Sequence, residues 1–300
     1  MPLKALPLKI MPLKTMPLKT IPLKTMSPKT EIGVIADQLI KGEPEKGEGY
    51  FVAEGVTLEQ TPDHIHLEFE KPHRVLSSAV LNGGFYQANH FLNMLVPPSY
   101  SQHCPLALED PTVTLERYCH EKGWPGAAIG MMTAASMKSL RVVHDVLPGA
   151  ELAGEALVGE SLAVVVTTGL ENARRAGDVA EFKALTSTPN KVGTINMAIV
   201  TSAYLTTAAM VETVAVATEA KAAVLQELNI ISPVSGGVAT GTGTDAIAIF
   251  SGNDEKNRQP VKFTGKHTLF GERVAQLVIK ALRSSINWPS KSRTKAEVSP

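Results

Sequence analysis

The alternation of apolar and polar residues predicts strands early in the chain. GVTLEQ and HIHLEF alternate with a period of two, and TPD between them has turn chemistry. VLSSAVLNGGF predicts a further strand that ends at a Gly pair, whereas FLNML and PTVTLERYCHEKG have helical patterns. GAAIGMMTA and LRVVHDVL predict strands again.

The second half of the chain alternates long apolar segments with polar turns. SLAVVVTTGL is almost continuously apolar and predicts a central buried strand, and VGTINMAIVTSAYL and DAIAIFSG predict two more. TTAAMVETVAVATEAKAAVLQEL predicts an Ala-rich helix of about six turns. VKFTGKHTLFGERVAQLVIKALRSSINW predicts a short strand and a closing amphipathic helix. Its apolar stripe is Val274, Leu277, Val278, Ala281 and Leu282.

This order of elements predicts an α+β fold. Strands cluster early, and helices do not follow each strand as they do in a Rossmann fold. We expect a layered domain with a mixed, largely antiparallel sheet packed against helices.

The N-terminus is a five-residue repeat, with PLK at positions 2, 7, 12, 17 and 22 and SPK at 27. Regularly spaced proline removes backbone donors and prevents a regular helix. We therefore expect residues 1–30 to be a disordered, low-complexity segment, 31–288 to be one α+β domain, and 289–300 to be a polar tail. The lysines of the repeat could contact anionic surfaces, or the repeat could be a dispensable extension.

Charge and composition exclude several classes of protein. Net charge is zero, but residues 1–30 hold six Lys and no acid, so the remainder is acidic and a poor non-specific nucleic-acid binder. The two cysteines form no CxxC pair, which fits reduced thiols in a cytoplasmic protein. No apolar run reaches the roughly 18 residues of a membrane span, and we expect none.

The segment SGGVATGTGTDAIAIF contains the densest run of Gly and Thr. It is not a Walker A loop, because Thr242 stands where that loop needs Lys, and it is not a dinucleotide fingerprint, because it follows a helix and precedes a strand. Gly241 and Gly243 could adopt positive φ and bring backbone amides close to an anion. Thr240, Thr242 and Thr244 add hydroxyls, and Asp245 begins the next strand; the alternative is a solvated turn.

Two further residues could transfer protons. Glu219 lies mid-helix, and if that face were buried its carboxyl could serve as a general acid or base; a solvent-facing side chain is the alternative. His267 precedes the last helix, for which we expect Thr268 as the cap. A helix N-terminus disfavours imidazolium, so His267 would stay neutral.

The remaining candidates are polar residues at the ends of strands. Arg175 and Asp178 in ENARRAGD could bind anions or amides, although Arg174 and Asp178 could instead form a helical ion pair. Asn82 with Gly83, and Asn196, are also placed for ligand contacts. His64 and His66 share one strand face, but the spacing suggests no third ligand, and Glu68 and Glu70 indicate a solvated face, so we expect no metal site.

Seven segments in one order carry a family resemblance. They are LNGGF, MMTAASMKSL, TTGLENARRAGD, GTINMAIVTSA, ATEAKAAVLQEL, SGGVATGTGTDAIAIFSG and FTGKHTLFGERV, and together they resemble the adenosylcobinamide amidohydrolases over roughly residues 50 to 287. The resemblance implies hydrolysis of the amide between the aminopropanol arm and the corrin ring, in corrinoid salvage. It implies a small-molecule corrinoid as the partner and no cofactor beyond that substrate, to which the cobalt belongs. Oligomeric state is not indicated.

That chemistry needs an activated nucleophile, donors for an oxyanion and an acid for the leaving amine. We assign water activation to Asp245 or Glu219, the oxyanion to the amides of Gly241 to Thr244, and amine protonation to His267. Thr242 or Thr244 as a nucleophile is an alternative. The expected substrate-binding residues are Asn82, Gly83, Asn172, Arg175, Asp178, Asn196, Thr240, Gly241 and Gly243. The alternative function is non-catalytic binding of a corrinoid or nucleotide.

Overall fold

The computed structural model describes residues 50–96, 110–148, 151–152, 155–156, 159–181, 194–253 and 259–288. The Lys/Pro repeat and the polar tail lie outside these ranges, so the expected domain boundaries stay predictions. The described ranges contain three α-helices, a nine-stranded mixed sheet and two small two-stranded ladders.

The strands follow one another in this order: β1 (Tyr50–Ala53), β2 (Val56–Gln60), β3 (His64–Ser77), β4 (Gly84–Leu95), β5 (Ala128–Thr133), β6 (Arg141–Leu147), β7 (Glu151–Leu152), β8 (Glu155–Ala156), β9 (Glu160–Thr168), β10 (Ala173–Arg174), β11 (Ile195–Thr201), β12 (Gly241–Thr242) and β13 (Ala246–Ser251).

The helices are α1 (Pro111–Lys122), α2 (Thr207–Glu227) and α3 (Leu269–Ile286). Each begins at a polar cap whose side chain accepts a backbone N–H of the first turn: Asp110, Thr206 and Thr268 respectively. The predicted cap of α3 is therefore confirmed. No helix in the described ranges is long and apolar enough to cross a membrane.

The long strand β3 organises the main sheet. Its first half pairs with β2, its second half pairs with β13, and β4 runs antiparallel along its other side. Pairing with β4 is interrupted between Glu68 and His73, where Pro72 cannot donate to a ladder. The sheet thus has a first arm (β1, β2, β4, β5) and a second arm (β13, β11, β9, β6). β11 pairs with β13 and β4 with β5 in parallel, and the other pairs are antiparallel.

Three apolar cores show how these parts are layered. The inner core lies between the arms and contains Ile65, Phe91, Val165 and Phe250. The helix core joins the opposite face of the second arm to α2 and α3, and the predicted stripe of α3 lies in it. A small outer core packs Leu115 of α1 against β4 and β5. The predicted α+β class with a mixed, largely antiparallel sheet is confirmed.

The helix predicted for FLNML is wrong, because this segment is part of β4. Phe91 faces the inner core, while Leu92 and Met94 face the outer core, so both faces of the strand are covered. A strand that is buried on both faces loses its polar alternation and resembles a buried helix in sequence. VLSSAVLNGGF is also not one strand, because β3 ends at Ser77 and β4 starts at Gly84.

The most buried aromatic ring of the inner core provides a test of this layering. Phe250 is fully buried between the arms, whereas Phe263 is 72% exposed. We expect Phe250→Ala to reduce the free energy of unfolding by about 3–5 kcal/mol, because the cavity cannot be filled from solvent. Phe263→Ala, the matched control, should change it by less than about 0.5 kcal/mol. Urea denaturation measures both; equal effects would contradict the assigned inner core.

Candidate active site

Polar residues gather at one end of the strands of the second arm, which is called the Asp245 edge below. β11 and β13 are parallel and begin at the same edge, with Asn196 opposite Ala246, and the antiparallel β9 ends there at Thr168. Asp245 directly precedes β13. Parallel strand pairing therefore brings the Gly/Thr segment next to the start of β11, although these are far apart in sequence.

The Asp245 carboxylate is the most heavily bonded group at this edge. Its Oδ1 accepts the backbone N–H of Ile195 at 3.0 Å and the hydroxyl of Thr242. Its Oδ2 accepts the backbone N–H of Thr242 at 3.1 Å and forms an ion pair with the ammonium of Lys221. The two side chains are only 15% and 10% exposed, so the pair is largely removed from water.

Sequence reasoning missed Lys221 as a site residue. A signal was available, because α2 buries Thr213, Ala217, Ala220 and Val224 on one stripe, and Lys221 falls on the same stripe. A lysine on a buried stripe needs an anionic partner. Which anion it meets depends on how α2 crosses the second arm, and the sequence does not determine this.

Gly241 and Gly243 have a different role from the one expected, because neither has a positive φ. A Cβ at Gly241 would lie 2.4 Å from Asp245 Oδ2 and 3.0 Å from Lys221 Nζ. A Cβ at Gly243 would lie 2.5 Å from the side-chain amide nitrogen of Asn172. These glycines make room for neighbouring polar side chains.

The amides of this segment are largely used within the protein. The N–H of Thr242 is donated to Asp245, that of Gly243 to the carbonyl of Asn172 at 3.1 Å, and that of Thr240 to the carbonyl of Arg174 at 2.9 Å. β12 also pairs with β10, so the segment is a short ladder. The N–H groups of Thr242 and Gly243 are therefore not free to donate to an oxyanion. The prediction that the Gly241 to Thr244 amides form an oxyanion hole is wrong at these two positions.

The threonine side chains divide into two groups. The Thr240 hydroxyl accepts the backbone N–H of Ala176 at 2.9 Å, which fixes the neighbouring loop. The hydroxyls of Thr242 and Thr244, both half-buried, are bonded to Asp245 and Thr194 respectively. Of these three residues, Thr242 is the one whose hydroxyl bonds the Asp245 carboxylate.

The segment ENARRAGD forms β10 and a turn. Arg174 pairs with Glu181, so the alternative of a helical Arg174–Asp178 pair is wrong. Asp178 accepts from the Ser232 hydroxyl and, at 2.8 Å, from the N–H of Arg175. The Ser232 hydroxyl is the main reason that the pKa of Asp178 is lowered, with help from Ser235 and the Arg175 amide.

Asn172 is buried, and the next residue in the chain, Ala173, lies opposite Thr242 in the β10–β12 ladder. No described residue accepts a hydrogen bond from its side-chain amide. Arg175 is exposed, with its side chain 3.1 Å from the place where Gly237 would carry a Cβ.

Glu219 and His267 lie on the solvent side. Glu219 is exposed and pairs with Lys266, so the burial on which its acid–base role depended is not present. His267 is also exposed, directly before the Thr268 cap. Within the described ranges, neither residue forms a hydrogen bond or an ion pair with Asp245.

The predicted asparagines hold the framework together. Asn196 is 2% exposed, and its amide donates to Asn93 Oδ1 at 2.8 Å and to the carbonyl of Met132 at 3.0 Å, which links the two arms. Its Oδ1 is buried without a partner among the described residues. Asn82 has a φ of 54° and donates to the carbonyl of Ala128 at 2.8 Å. Gly83 is required for this turn, because a Cβ would lie 2.2 Å from the carbonyl oxygen of Ala79.

A cleft of about 390 Å³ opens beside this edge. It is lined by the end of β9, by Glu171 and Ala173 on either side of Asn172, and by Ser285 and Ile286 at the end of α3. Asp245 and Thr242 do not line the cleft, which reaches this part of the sheet at the two residues next to Asn172.

Comparison with known proteins assigns this arrangement to a family. Residues 50–294 match the family model described as CbiZ, adenosylcobinamide amidohydrolase. The chain belongs to the adenosylcobinamide amidohydrolase family. It is 26% identical over 215 residues to the adenosylcobinamide amidohydrolase of Methanosarcina mazei, covering 70% of this chain and 88% of that protein. The chain is therefore an amidohydrolase.

Two other similarities are more limited. An uncharacterized protein of Methanocaldococcus jannaschii is 40% identical over 93 residues, which is 31% of this chain and 35% of that protein. The L-aminopeptidase D-Ala-esterase/amidase of Ochrobactrum anthropi aligns in structure over 77% of this chain and 82% of that chain. The sequence identity of this alignment is 9% and its TM-score is 0.36, which is too low to assign a shared fold.

The ion pair of the site can be tested by a double-mutant cycle. We expect Lys221→Met to reduce the free energy of unfolding by about 3 kcal/mol, since it leaves a largely buried carboxylate unpaired. Combined with Asp245→Asn, it should show a coupling energy of about 1–3 kcal/mol in urea denaturation.

The exposed pair of Glu219 and Lys266 is the matched control, with side chains 57% and 64% exposed. The cycle of Glu219→Gln and Lys266→Met should give a coupling below about 0.5 kcal/mol, because solvent screens the pair. An equally small coupling between Lys221 and Asp245 would show that their pairing does not stabilise the fold.

Proposed function

We propose that this protein hydrolyses the aminopropanol amide of adenosylcobinamide, releasing adenosylcobyric acid and aminopropanol, as a step of corrinoid salvage. Membership of the family supports the reaction class. The observation that carries the proposal is the Thr242 hydroxyl, which donates to a carboxylate that Lys221 and two backbone amides already hold in place. The cobalt belongs to the substrate, and the proposal needs no other cofactor.

Thr242 is the proposed nucleophile. Its Oγ1 attacks the amide carbonyl carbon while its proton moves to Asp245, along the hydrogen bond that joins them. The proton then passes to the leaving nitrogen, the C–N bond breaks, and aminopropanol leaves an ester on Thr242. Water attacks this ester, loses a proton to Asp245 and releases the carboxylic acid with the Thr242 hydroxyl restored.

Lys221 is the proposed positioning residue of this pair. Asp245 accepts from four donors, and one of these is the Thr242 hydroxyl itself. The same contacts fix its orientation toward Thr242. This favours a threonine nucleophile over direct activation of water by Asp245.

The Asn172 side chain is the proposed donor to the oxyanion. The backbone amides of Thr242 and Gly243 are occupied, whereas the Asn172 amide group lies against Gly243 and donates to no described residue. An amide placed in advance at this point would stabilise the charge that develops on the carbonyl oxygen. The adjacent cleft, lined by Glu171 and Ala173, gives a neighbouring part of the substrate room to bind.

The substrate's peripheral amides need further contacts. Arg175 is exposed at the turn beside the Gly/Thr segment, and the Asn82–Gly83 turn lies close to the start of β13, since Ser78 bonds Ile247 in both directions. We propose these two places for the corrin rim. Asp178, Asn196 and Thr240 bond to other parts of the protein and act there as supports.

Replacement of Thr242 tests the nucleophile. We expect Thr242→Ala to lower kcat/KM for adenosylcobinamide by roughly 10³-fold or more, because the attacking group is removed. Thr242→Ser, which keeps the hydroxyl, should retain turnover within about tenfold. The readout is the release of aminopropanol and adenosylcobyric acid by mass spectrometry, and quenched samples of the wild type should contain an ester on the Thr242 peptide.

The alternatives make different predictions in the same assay. Activity kept in Thr242→Ala but lost in Asp245→Asn would assign the attack to water. Loss confined to Thr244→Ala would move the nucleophile to Thr244. Large losses in Glu219→Gln or His267→Gln would restore their proton-transfer roles, and substrate binding without cleavage by the wild type would overturn the hydrolytic reaction.

A further inference from the structure

Three histidines lie together on the outer face of the sheet, under α1. His64, His66 and His90 are 1%, 5% and 2% exposed. Ile65 and Leu67 between and beside them face the inner core, so the imidazoles project to the opposite side. The expectation of a solvated face at His64 and His66 is therefore wrong, and it holds only for Glu68 and Glu70, which are exposed on the same face.

Hydrogen bonds determine which nitrogen of His66 is free. The Pro125 carbonyl can only accept, so His90 Nε2 donates to it at 2.7 Å. With both rings in the neutral form, His90 Nδ1 is then an acceptor and takes the Nε2 proton of His66 at 3.0 Å. This leaves a lone pair on His66 Nδ1.

His64 presents a second nitrogen to the same place. Its Nδ1 lies 2.9 Å from the hydroxyls of both Thr61 and Tyr118, so an Nδ1 proton can be donated to Tyr118. Its Nε2 is buried and has no hydrogen-bond partner among the described residues. A buried ring nitrogen without a partner is costly, which indicates that something else satisfies it.

The Glu59 carboxylate faces both nitrogens. Strand pairing sets Glu59 directly opposite His66, and its Oε2 lies 3.7 Å from His64 Nε2 and 3.8 Å from His66 Nδ1. Both separations are too long for hydrogen bonds. Glu59 Oε2 thus lies within 4 Å of both ring nitrogens without forming a hydrogen bond to either.

We propose that Glu59 Oε2, His64 Nε2 and His66 Nδ1 bind a divalent transition-metal ion of the zinc class, with water completing its coordination. Two imidazoles and one carboxylate are a donor set that suits such an ion. The other ring nitrogens are oriented by hydroxyls and by the His90–Pro125 chain, as the outer partners of metal-binding histidines are. Asp63 adds negative charge and Lys122 opposes it.

The three donors do not yet stand at metal-binding separation, and the described residues contain no group of three or more that does. Bonds of about 2.0–2.1 Å in tetrahedral geometry place donors about 3.4 Å apart. Glu59 Oε2 must therefore move closer to both nitrogens, and its 55% exposed side chain is free to change rotamer. The rings themselves are held, since His66 stacks on Trp124 at 3.7 Å between centroids and His64 meets Tyr118 edge-on.

The metal site lies on the outer face of the first arm, whereas the proposed catalytic residues lie at the strand ends of the second arm. The two sites are therefore separate. A bound ion would join β2 to β3 beneath α1, so its effect is on stability. The proposal is therefore tested by measuring metal binding, and the result does not depend on whether the protein hydrolyses the proposed amide.

The test uses the full-length chain without a histidine tag, freed of metal by a chelator and titrated with Co²⁺. We expect one ion per chain by calorimetry, visible d–d absorption bands, displacement of Co²⁺ by Zn²⁺, and a higher melting temperature with Zn²⁺. Glu59→Gln, at an exposed position that does not endanger folding, should weaken Co²⁺ binding by about 10–100-fold or more and abolish the thermal shift. Glu68→Gln, exposed on the same face, is the matched control and should behave as wild type.

Two results would overturn the site. One is a folded wild-type chain, verified by circular dichroism, that binds no Co²⁺ at a defined stoichiometry. The other is Glu59→Gln that binds Co²⁺ as tightly as wild type and Glu68→Gln. The second result can equally be sought at another donor position, with His66→Gln in place of Glu59→Gln.

Discussion

The ion pair of Lys221 with Asp245 connects the helical layer of this protein to the edge where its chemistry is proposed. Lys221 comes from the buried stripe of α2, and Asp245 directly precedes β13. Neither side chain has much access to water, so the two opposite charges compensate each other in place of solvent. The pair requires a glycine at position 241, because any side chain there would occupy the same space.

The layered sheet explains why this pair lies at an edge. Residues in the middle of β11 and β13 are apolar on both faces, since one face meets the helix core and the other the inner core. Polar groups can therefore collect only where the strands begin or end. Asn196, with Asn93, closes the inner core at this edge through hydrogen bonds between the two arms.

Both proposals rest on the hydrogen-bond partners of buried polar groups. At the Asp245 edge, the carboxylate accepts the Thr242 hydroxyl and is held in place by its other donors. In the histidine cluster, the chain from Pro125 to His66 leaves one nitrogen open, and His64 Nε2 has no partner among the described residues. The first arrangement is the basis of the proposed threonine nucleophile, and the second is the basis of the proposed metal site.

The local pattern of apolar and polar residues was sufficient to predict several secondary-structure elements and the family of this protein. Period-two alternation identified β2 and β3, the 3.6 period identified the buried stripe of α3, and the order of unusual segments identified the family. Thr242 and Asp245 were predicted together from one Gly-rich segment, and the structure shows that their side chains are hydrogen-bonded. Asn172 was predicted from a distant segment, and its amide lies against Gly243. Their roles stay predictions. Pattern failed at FLNML, where apolar residues cover both strand faces and remove the alternation.

Contacts between distant segments were decided only by the tertiary structure. The crossing of α2 over the second arm brings Lys221 to Asp245, and it leaves Glu219 and His267 in solvent. The register of β2 against β3 sets Glu59 opposite His66, which the spacing of the two histidines alone does not show. The sequence determines which side chains are available and what each local segment becomes. Partners are decided by sheet register and helix packing, because these follow from burying apolar surface across the whole chain.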